Sequence, residues 1–243
     1  DKNAIPQKLT GDNFYIKSNF HGYGGKSYQC IEVNDQIYLI WVDQLSKAMW
    51  LKILRVQEKV PKNDNEYLLC DMEPRQLTES IKTNFDTSFV ISKNNLLYGL
   101  CEIKHRDYLF SLNLKKTKQE IRIIKKFDNF AGNLSSNISA DLFSWIEWNA
   151  GSMPWERNEL FFAIIDNDGE IQNIKNFSNK FVNEEKNVSF FQPYWMSDTT
   201  LVCSEDSTGW WNLLFLDLTD IKNIILKKRI IKPLTEYGSP QWV

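Results

Sequence analysis

The stretch Cys203-Ser204-Glu205-Asp206-Ser207-Thr208-Gly209-Trp210-Trp211-Asn212-Leu213-Leu214-Phe215-Leu216-Asp217-Leu218 decides how the chain is read. An apolar run over 200–203 meets a polar turn with one glycine. Two tryptophans then open a second run, in which Asn212, Leu214, Leu216 and Leu218 alternate with Leu213, Phe215 and Asp217. Period-two alternation belongs to a strand whose two faces meet different surroundings, so the stretch reads strand, loop, strand.

The same unit recurs upstream. From residue 27 the pattern gives strands over 28–33, 36–42 and 48–56, with a turn at Asn34-Asp35, and after a charged loop a strand over 67–78. A second set covers 87–91, 96–103, 108–114 and 120–127, a third 134–140, 142–148, 159–165 and 171–177, and a fourth 189–196, 200–203, 211–218 and 224–234. The second strands begin near positions 37, 96, 143 and 200. Four-stranded units repeating every ~40–50 residues or somewhat more predict β-propeller blades, each a sheet that buries its faces only against its neighbours. A β-sandwich would not need the same strand order four times.

The expected fold is therefore all-β, a β-propeller portion with blades over 27–78, 85–127, 132–177 and 188–235, a blade remnant over 1–26 and the start of another blade over 238–243. Residues 1–10 read as a closing strand, because their Leu9-Thr10 ending returns at Leu77-Thr78 and Leu234-Thr235. Four blades and two fragments do not close a ring. The expectation is an arc of a larger propeller, with an open blade face at each end through which copies would self-associate.

Composition narrows the function classes. At 243 residues, with 29 basic against 31 acidic side chains, the chain lacks the Lys/Arg excess of a nucleic-acid-binding face. Its lysine groups, such as Lys115-Lys116-Lys118, read as solvated turns that discourage edge pairing. Cys30, Cys70, Cys101 and Cys203 are far apart with no C-x-x-C pair, which predicts buried hydrophobes in a reducing compartment and no zinc site. No run approaches the ~18 apolar residues of a membrane span, and no signal-peptide core is visible, so the expected location is cytoplasmic. Neither a metal nor a cofactor is expected.

Catalytic motifs are missing in an instructive way. The chain has no G-x-S-x-G, P-loop or H-E-x-x-H. Its two histidines, His21 in a Gly-rich turn and His105 in a charged loop, have no nearby nucleophile suited to them. Glu147, Glu156, Glu159, Glu205 and Asp206 could supply a glycosidase's carboxylates. Ser204-x-Asp206 resembles a sialidase Asp-box with its Gly one residue late, but Asp206 capping its own loop is the stronger reading. Asp166-x-Asp168-Gly169 reads as a hairpin turn, since the Glu of a calcium loop is absent. The tryptophans suit packing between blades, with Trp210 and Trp211 kept partly open because neighbours in a strand face opposite ways.

Several segments match a known pattern. Ala150-Gly151-Ser152-Met153-Pro154-Trp155-Glu156-Arg157-Asn158-Glu159-Leu160 resembles "hPnMPWD-x-TEL", Gln192-Pro193-x-Trp195 resembles "QP-x-W", and Ser204 to Leu213 resembles "SDrtGWWNLY". Glu236-Tyr237-Gly238-Ser239-Pro240-Gln241-Trp242-Val243 is similar to "EFG-x-PqWvFG", His21-Gly22-Tyr23-Gly24-Gly25 to "HEYGGG", and Asp43-Gln44 to "DQRLY". In this order they resemble the N-terminal propeller of prolyl oligopeptidase-family serine peptidases, in the acylaminoacyl-peptidase-like and dipeptidyl-peptidase-like branch. Gly22 stands where that pattern has Glu, Leu214 where it has Tyr, and the Arg after Asp43-Gln44 is missing.

The resemblance implies a non-catalytic lid that gates short peptides or acyl-peptides. The Ser, Asp and His would lie in an α/β-hydrolase domain C-terminal to this chain, its partner in the parent protein. It also implies that His21, Tyr23, Arg157, Glu159, Trp210 and Trp211 line the substrate funnel or face that domain. The alternatives are a stand-alone binding module for protein or carbohydrate, and a propeller glycosidase using Glu159 or Glu205.

Overall fold

Each alternating run pairs with the next one along the chain, as hairpin-connected strands do. The computed structural model describes residues 9–22, 24–33, 36–56, 69–80, 82–178 and 188–230. The first sheet holds β1 (Tyr28–Val33), β2 (Gln36–Asp43), β3 (Ala48–Val56) and two short pieces, β4 (Leu69–Asp71) and β5 (Arg75–Gln76), that both pair with β3. The second holds β6 (Asn84–Ile91), β7 (Leu96–Ile103), β8 (Arg106–Asn113) and β9 (Arg122–Lys126), and the third β10 (Phe130–Ser136), β11 (Leu142–Trp148), β12 (Glu159–Ile165) and β13 (Ile171–Asn176). The fourth holds β14 (Phe190–Trp195), β15 (Thr200–Glu205), β16 (Asn212–Asp217) and β17 (Ile225–Ile230). Every pairing between these strands is antiparallel and neighbours follow chain order, with β5 off the path on β3, while one isolated parallel bridge joins Thr78 to Gln119.

The innermost strands touch in succession, β1 against β6, β6 against β10 and β10 against β14. The four sheets are blades arranged as an open arc of a β-propeller.

One apolar cluster fills each seam. Ile40, Met49 and Leu51 of the first blade meet Phe85, Leu97 and Phe110 of the second. Tyr98, Leu100 and Leu109 meet Phe143, Trp145 and Ala163 at the next seam, and Ile146, Leu160 and Phe162 meet Phe190, Trp195 and Leu214 at the last. Burying one such side chain is worth about 1.5–3 kcal/mol, so the seams, which a lone blade lacks, carry the stability. Ring contacts aim across them: Tyr98 meets Phe143 at 5.0 Å, and Phe162 meets Trp195 at 6.2 Å while Trp195 Nε1 donates to Ser144 Oγ at 3.0 Å.

Three inner strands carry a β-bulge at the same place. Register slips between Asp86 and Val90, Gly132 and Ser135, and Phe191 and Tyr194, with Asn133 and Gln192 in the left-handed region at φ 54° and 51°. The bulge explains why β10 begins at Phe130, four residues ahead of the expected strand: it breaks the alternation that would have shown the earlier half. The single strand expected over 67–78 is split into β4 and β5 around Met72–Pro74, where proline offers no N–H to the ladder. Within the expected remnant over 1–26, Ile16 makes one bridge to Asp43, and the segment ends in a 3-10 turn at Phe20–Gly22.

Cys101 and Cys203 are buried, but Cys30 is exposed. Alternation sends Ile31 toward the second blade and turns Cys30 to the opposite side. Cys70's side chain, residues 1–8 of the expected closing strand and the fifth blade's start lie outside the described residues.

Candidate functional site at one end of the arc

Hairpin topology sorts the loops between two ends. Each inner strand is entered at the same end at which the second strand turns into the third, because the chain reverses at every hairpin. The segments 18–27, 44–47, 104–105, 127–129, 149–158, 188–189 and 206–211 therefore share one end. All the described residues suggested for the funnel lie there. Tyr23 lies outside the described residues.

His21 sits in the 3-10 turn with φ 51° and an 8% exposed side chain. Its Nε2 is 2.7 Å from Asp107 Oδ2, which also accepts from Ala131 N at 2.8 Å. The ring packs against Phe20 at 3.8 Å and meets Phe130 at 5.1 Å and Trp148 at 5.5 Å edge-on. His21 N also donates to Glu102 Oε2, an acceptor shared with Asn84 Nδ2. The histidine that would serve as a base is thus bonded and covered, and acts as a clasp holding the entry segment across the second and third blades. His105 is solvated, with Glu102 beside it at 3.3 Å.

The 149–158 loop stands next to that clasp, since Trp148 belongs to both. Its tip folds on itself: Met153 N donates to Glu156 Oε2 at 2.8 Å, and Glu156 N to Met153 O at 2.9 Å, leaving Met153 and Trp155 exposed. Arg157 and Glu159 line one small cleft with Asn129, Glu147, Trp148, Asn149 and Ser152. Glu159 stands opposite Glu147 across the β11–β12 hairpin and accepts from Asn176 Nδ2 at 3.1 Å. Burial pushes the Glu147 carboxyl up from its ordinary value; the Trp145 Nε1 bond at 2.8 Å and Lys125 oppose this, and Glu159 and Asp128 add to it.

Asn158, which sequence reasoning passed over, is the anchor of this loop. Its buried amide donates to Pro154 O at 2.7 Å and Phe190 O at 2.8 Å, while its Oδ1 accepts from Phe190 N at 2.8 Å. It stands inside the Met-Pro-Trp segment, so the motif held the signal but not the role.

The loop after β15 is tied to the same strand entry. Asp206 Oδ1 accepts from Ser189 N at 2.7 Å, and burial pushes its carboxyl up. Within the loop itself Glu205 Oε2 accepts from Ser207 N at 2.8 Å, and the Asp206 carboxyl also takes a bond from its own backbone N–H. Glu205 is fully buried, which removes it as a glycosidase acid reachable by substrate. Trp210 and Trp211 are half-buried and precede β16 rather than opening it. Asn212 Nδ2 donates to Trp210 O at 2.8 Å and Thr208 Oγ1 at 3.0 Å, fixing the turn that presents them. Asp166 Oδ1 does cap its hairpin, accepting from Asp168 N and Glu170 N. Among the described residues no group of three or more His, Cys, Asp or Glu is placed to hold a metal, and no helix is long and apolar enough to cross a membrane.

Solved structures share this architecture. A Mycobacterium tuberculosis puromycin-hydrolyzing peptidase aligns with a TM-score of 0.72 at 17% identity over 97% of this chain and 35% of its own. A puromycin hydrolase aligns with a TM-score of 0.73 at 16% identity over 96% and 35%, and its S511A mutant complexed with PGG at 0.68 over 90% and 33%. The likeness is one of fold. The propeller arc spans about a third of the length of each of these peptidases. No protein-family profile and no curated protein matches the sequence.

Proposed function

We propose that this propeller is the non-catalytic, substrate-gating part of a prolyl oligopeptidase-family serine peptidase, in the acylaminoacyl-peptidase-like branch, acting on short peptides or acyl-peptides in the cytoplasm. The carrying observation is that the described motif segments at His21, 149–158 and 206–211, far apart in sequence, gather at one end of the arc. That end is where an α/β-hydrolase domain bearing the Ser, Asp and His would dock, and His21, Tyr23, Arg157, Glu159, Trp210 and Trp211 would line the space between. The propeller's physical contribution is exclusion of water and of folded chains, together with positioning of a short substrate. The likeness to the puromycin-hydrolyzing peptidases over nearly the whole chain supports the reading, as do the free, buried thiols of Cys101 and Cys203, which suit a reducing compartment.

The test compares the longer polypeptide carrying Arg157→Ala or Glu159→Gln with its unsubstituted form, on aminoacyl and acyl-aminoacyl chromogenic substrates. KM should rise severalfold with kcat changed less, as expected for lost positioning contacts. Unchanged KM and kcat in both variants would remove these residues from the substrate path.

A further inference from the structure

Two buried hydroxyls in one small cluster, Ser189 Oγ and Ser207 Oγ, have no hydrogen-bond partner among the described residues. Buried polar groups are nearly always bonded, so two orphans in the same place call for a further group there. The cluster forms where β14 meets β15. Phe190 pairs with Glu205, which brings Ser189 opposite Asp206 just beyond the ladder, and Ser189 N donates to Asp206 Oδ1 at 2.7 Å. Ser207 N, on the next turn of chain, donates to Glu205 Oε2 at 2.8 Å. Each orphaned hydroxyl therefore stands on a residue whose own N–H already binds a carboxylate, and the two carboxylates are neighbours in the chain.

Burial sharpens the oddity. Ser189 and Glu205 are fully buried, and Asp206 is half-buried. The Asp206 carboxyl is pushed up first by burial and then by Glu205, against the bond from Ser189 N, and no cationic side chain among the described residues acts on it. A carboxylate that already accepts one N–H keeps lone pairs for a second partner. The donor set is thus two carboxylates and two hydroxyls, all oxygen, with an excess of negative charge.

From this arrangement we infer that Glu205, Asp206, Ser189 and Ser207 form a calcium site, with water completing the shell of one ion. Calcium takes about 6–8 oxygen ligands at ~2.3–2.6 Å in flexible geometry, whereas magnesium demands a near-ideal octahedron and zinc favours nitrogen and sulfur. With only two acids, the cluster lies outside the groups of three or more His, Cys, Asp or Glu by which a metal centre is usually recognised. The ion ties the loop after β15 to the entry of β14. It thereby steadies the turn that Asn212 braces through Trp210 O and Thr208 Oγ1, the turn that presents Trp210 and Trp211. The inference does not depend on the proposed function, since it concerns a structural ion.

The test titrates calcium into the chelator-treated 243-residue chain, followed by calorimetry and thermal melting. Saturable binding of one calcium per chain is expected, with a melting temperature that rises as the site fills and with magnesium bound about tenfold more weakly or worse. Asp206→Asn keeps an acceptor for Ser189 N but removes a charged ligand, and should weaken calcium about tenfold; Ser207→Ala should weaken it severalfold. Calcium-free melts of both variants, matched to the unsubstituted chain, separate lost binding from lost folding. Affinity should also fall as pH is lowered, because a proton on Asp206 competes with the ion. Absence of saturable binding, binding that both substitutions leave unchanged, or equal binding of magnesium would each overturn the proposal and leave the two hydroxyls to water.

Discussion

Asn158 shows how much one side chain can hold. Its amide satisfies two carbonyls and one N–H at the seam between the third and fourth blades, and its removal leaves buried polar groups without partners. Asn158→Ala should therefore cost about 2–4 kcal/mol in denaturant unfolding, and a loss near zero would refute its anchoring role. Asp86 makes the opposite kind of prediction. It is buried in the inner strand β6, and burial raises its carboxyl, opposed by hydrogen bonding to Ser88 and by Lys26 and His21. A carboxyl whose folded value is raised contributes stability that is whole below the unfolded value, near pH 4, and is lost as pH rises through the folded value. Glu147 and Asp206 share this sign, while Asp43 has the reverse. Burial pushes Asp43 up, but bonds from Ser46, Tyr15 and Leu45 outweigh it, so its contribution is lost as pH falls. Asp86→Asn should stabilise the chain at pH 8 relative to pH 4. Equal melting shifts at the two pH values would count against a raised Asp86.

Among the elements, the middle strands were the most legible. β7, β11 and β12 lie where short, near-continuous apolar runs put them, because a strand packed on both faces shows its length as an unbroken run bounded by turns. The inner strands were harder. Their bulges at Asn133 and Gln192 shift the side-chain phase midway, which hid the first half of β10. The outer strand of the first blade failed at Pro74 for a reason readable in hindsight, the missing N–H. Residue contacts between blades were illegible altogether: nothing in sequence spacing joins Asn158 to Phe190, or His21 to Asp107. The motif residues were visible as motifs, but their bonding was not. Seam packing gives the prediction at this scale. Trp195→Ala removes the ring that meets Phe162 and the donor to Ser144, and should cost about 3–5 kcal/mol, measured by denaturant unfolding. Tyr28→Ala, on an exposed position of β1, should change stability by less than about 0.5 kcal/mol in the same assay.

At the scale of the molecule, blades bury their faces against neighbours, and the first blade's far side carries exposed Tyr28 and Cys30. Exposed apolar surface of this kind favours association, so the isolated chain should show a sedimentation coefficient that rises with concentration. A constant monomer value over a wide range would contradict that expectation. The chain's two histidines offer no base with an attendant nucleophile: His21 is locked to Asp107, and His105 stands in solvent. In the proposed function, catalysis belongs to a domain beyond this arc, and the arc's part is to position and exclude. The decisive comparison is hydrolysis of alanyl and acetyl-alanyl p-nitroanilides by this chain alone and by a longer polypeptide that joins it to the proposed hydrolase domain. The account predicts no turnover above background from the first and clear turnover from the second; repurification-resistant hydrolysis by the isolated chain, or none by the longer polypeptide, would contradict it.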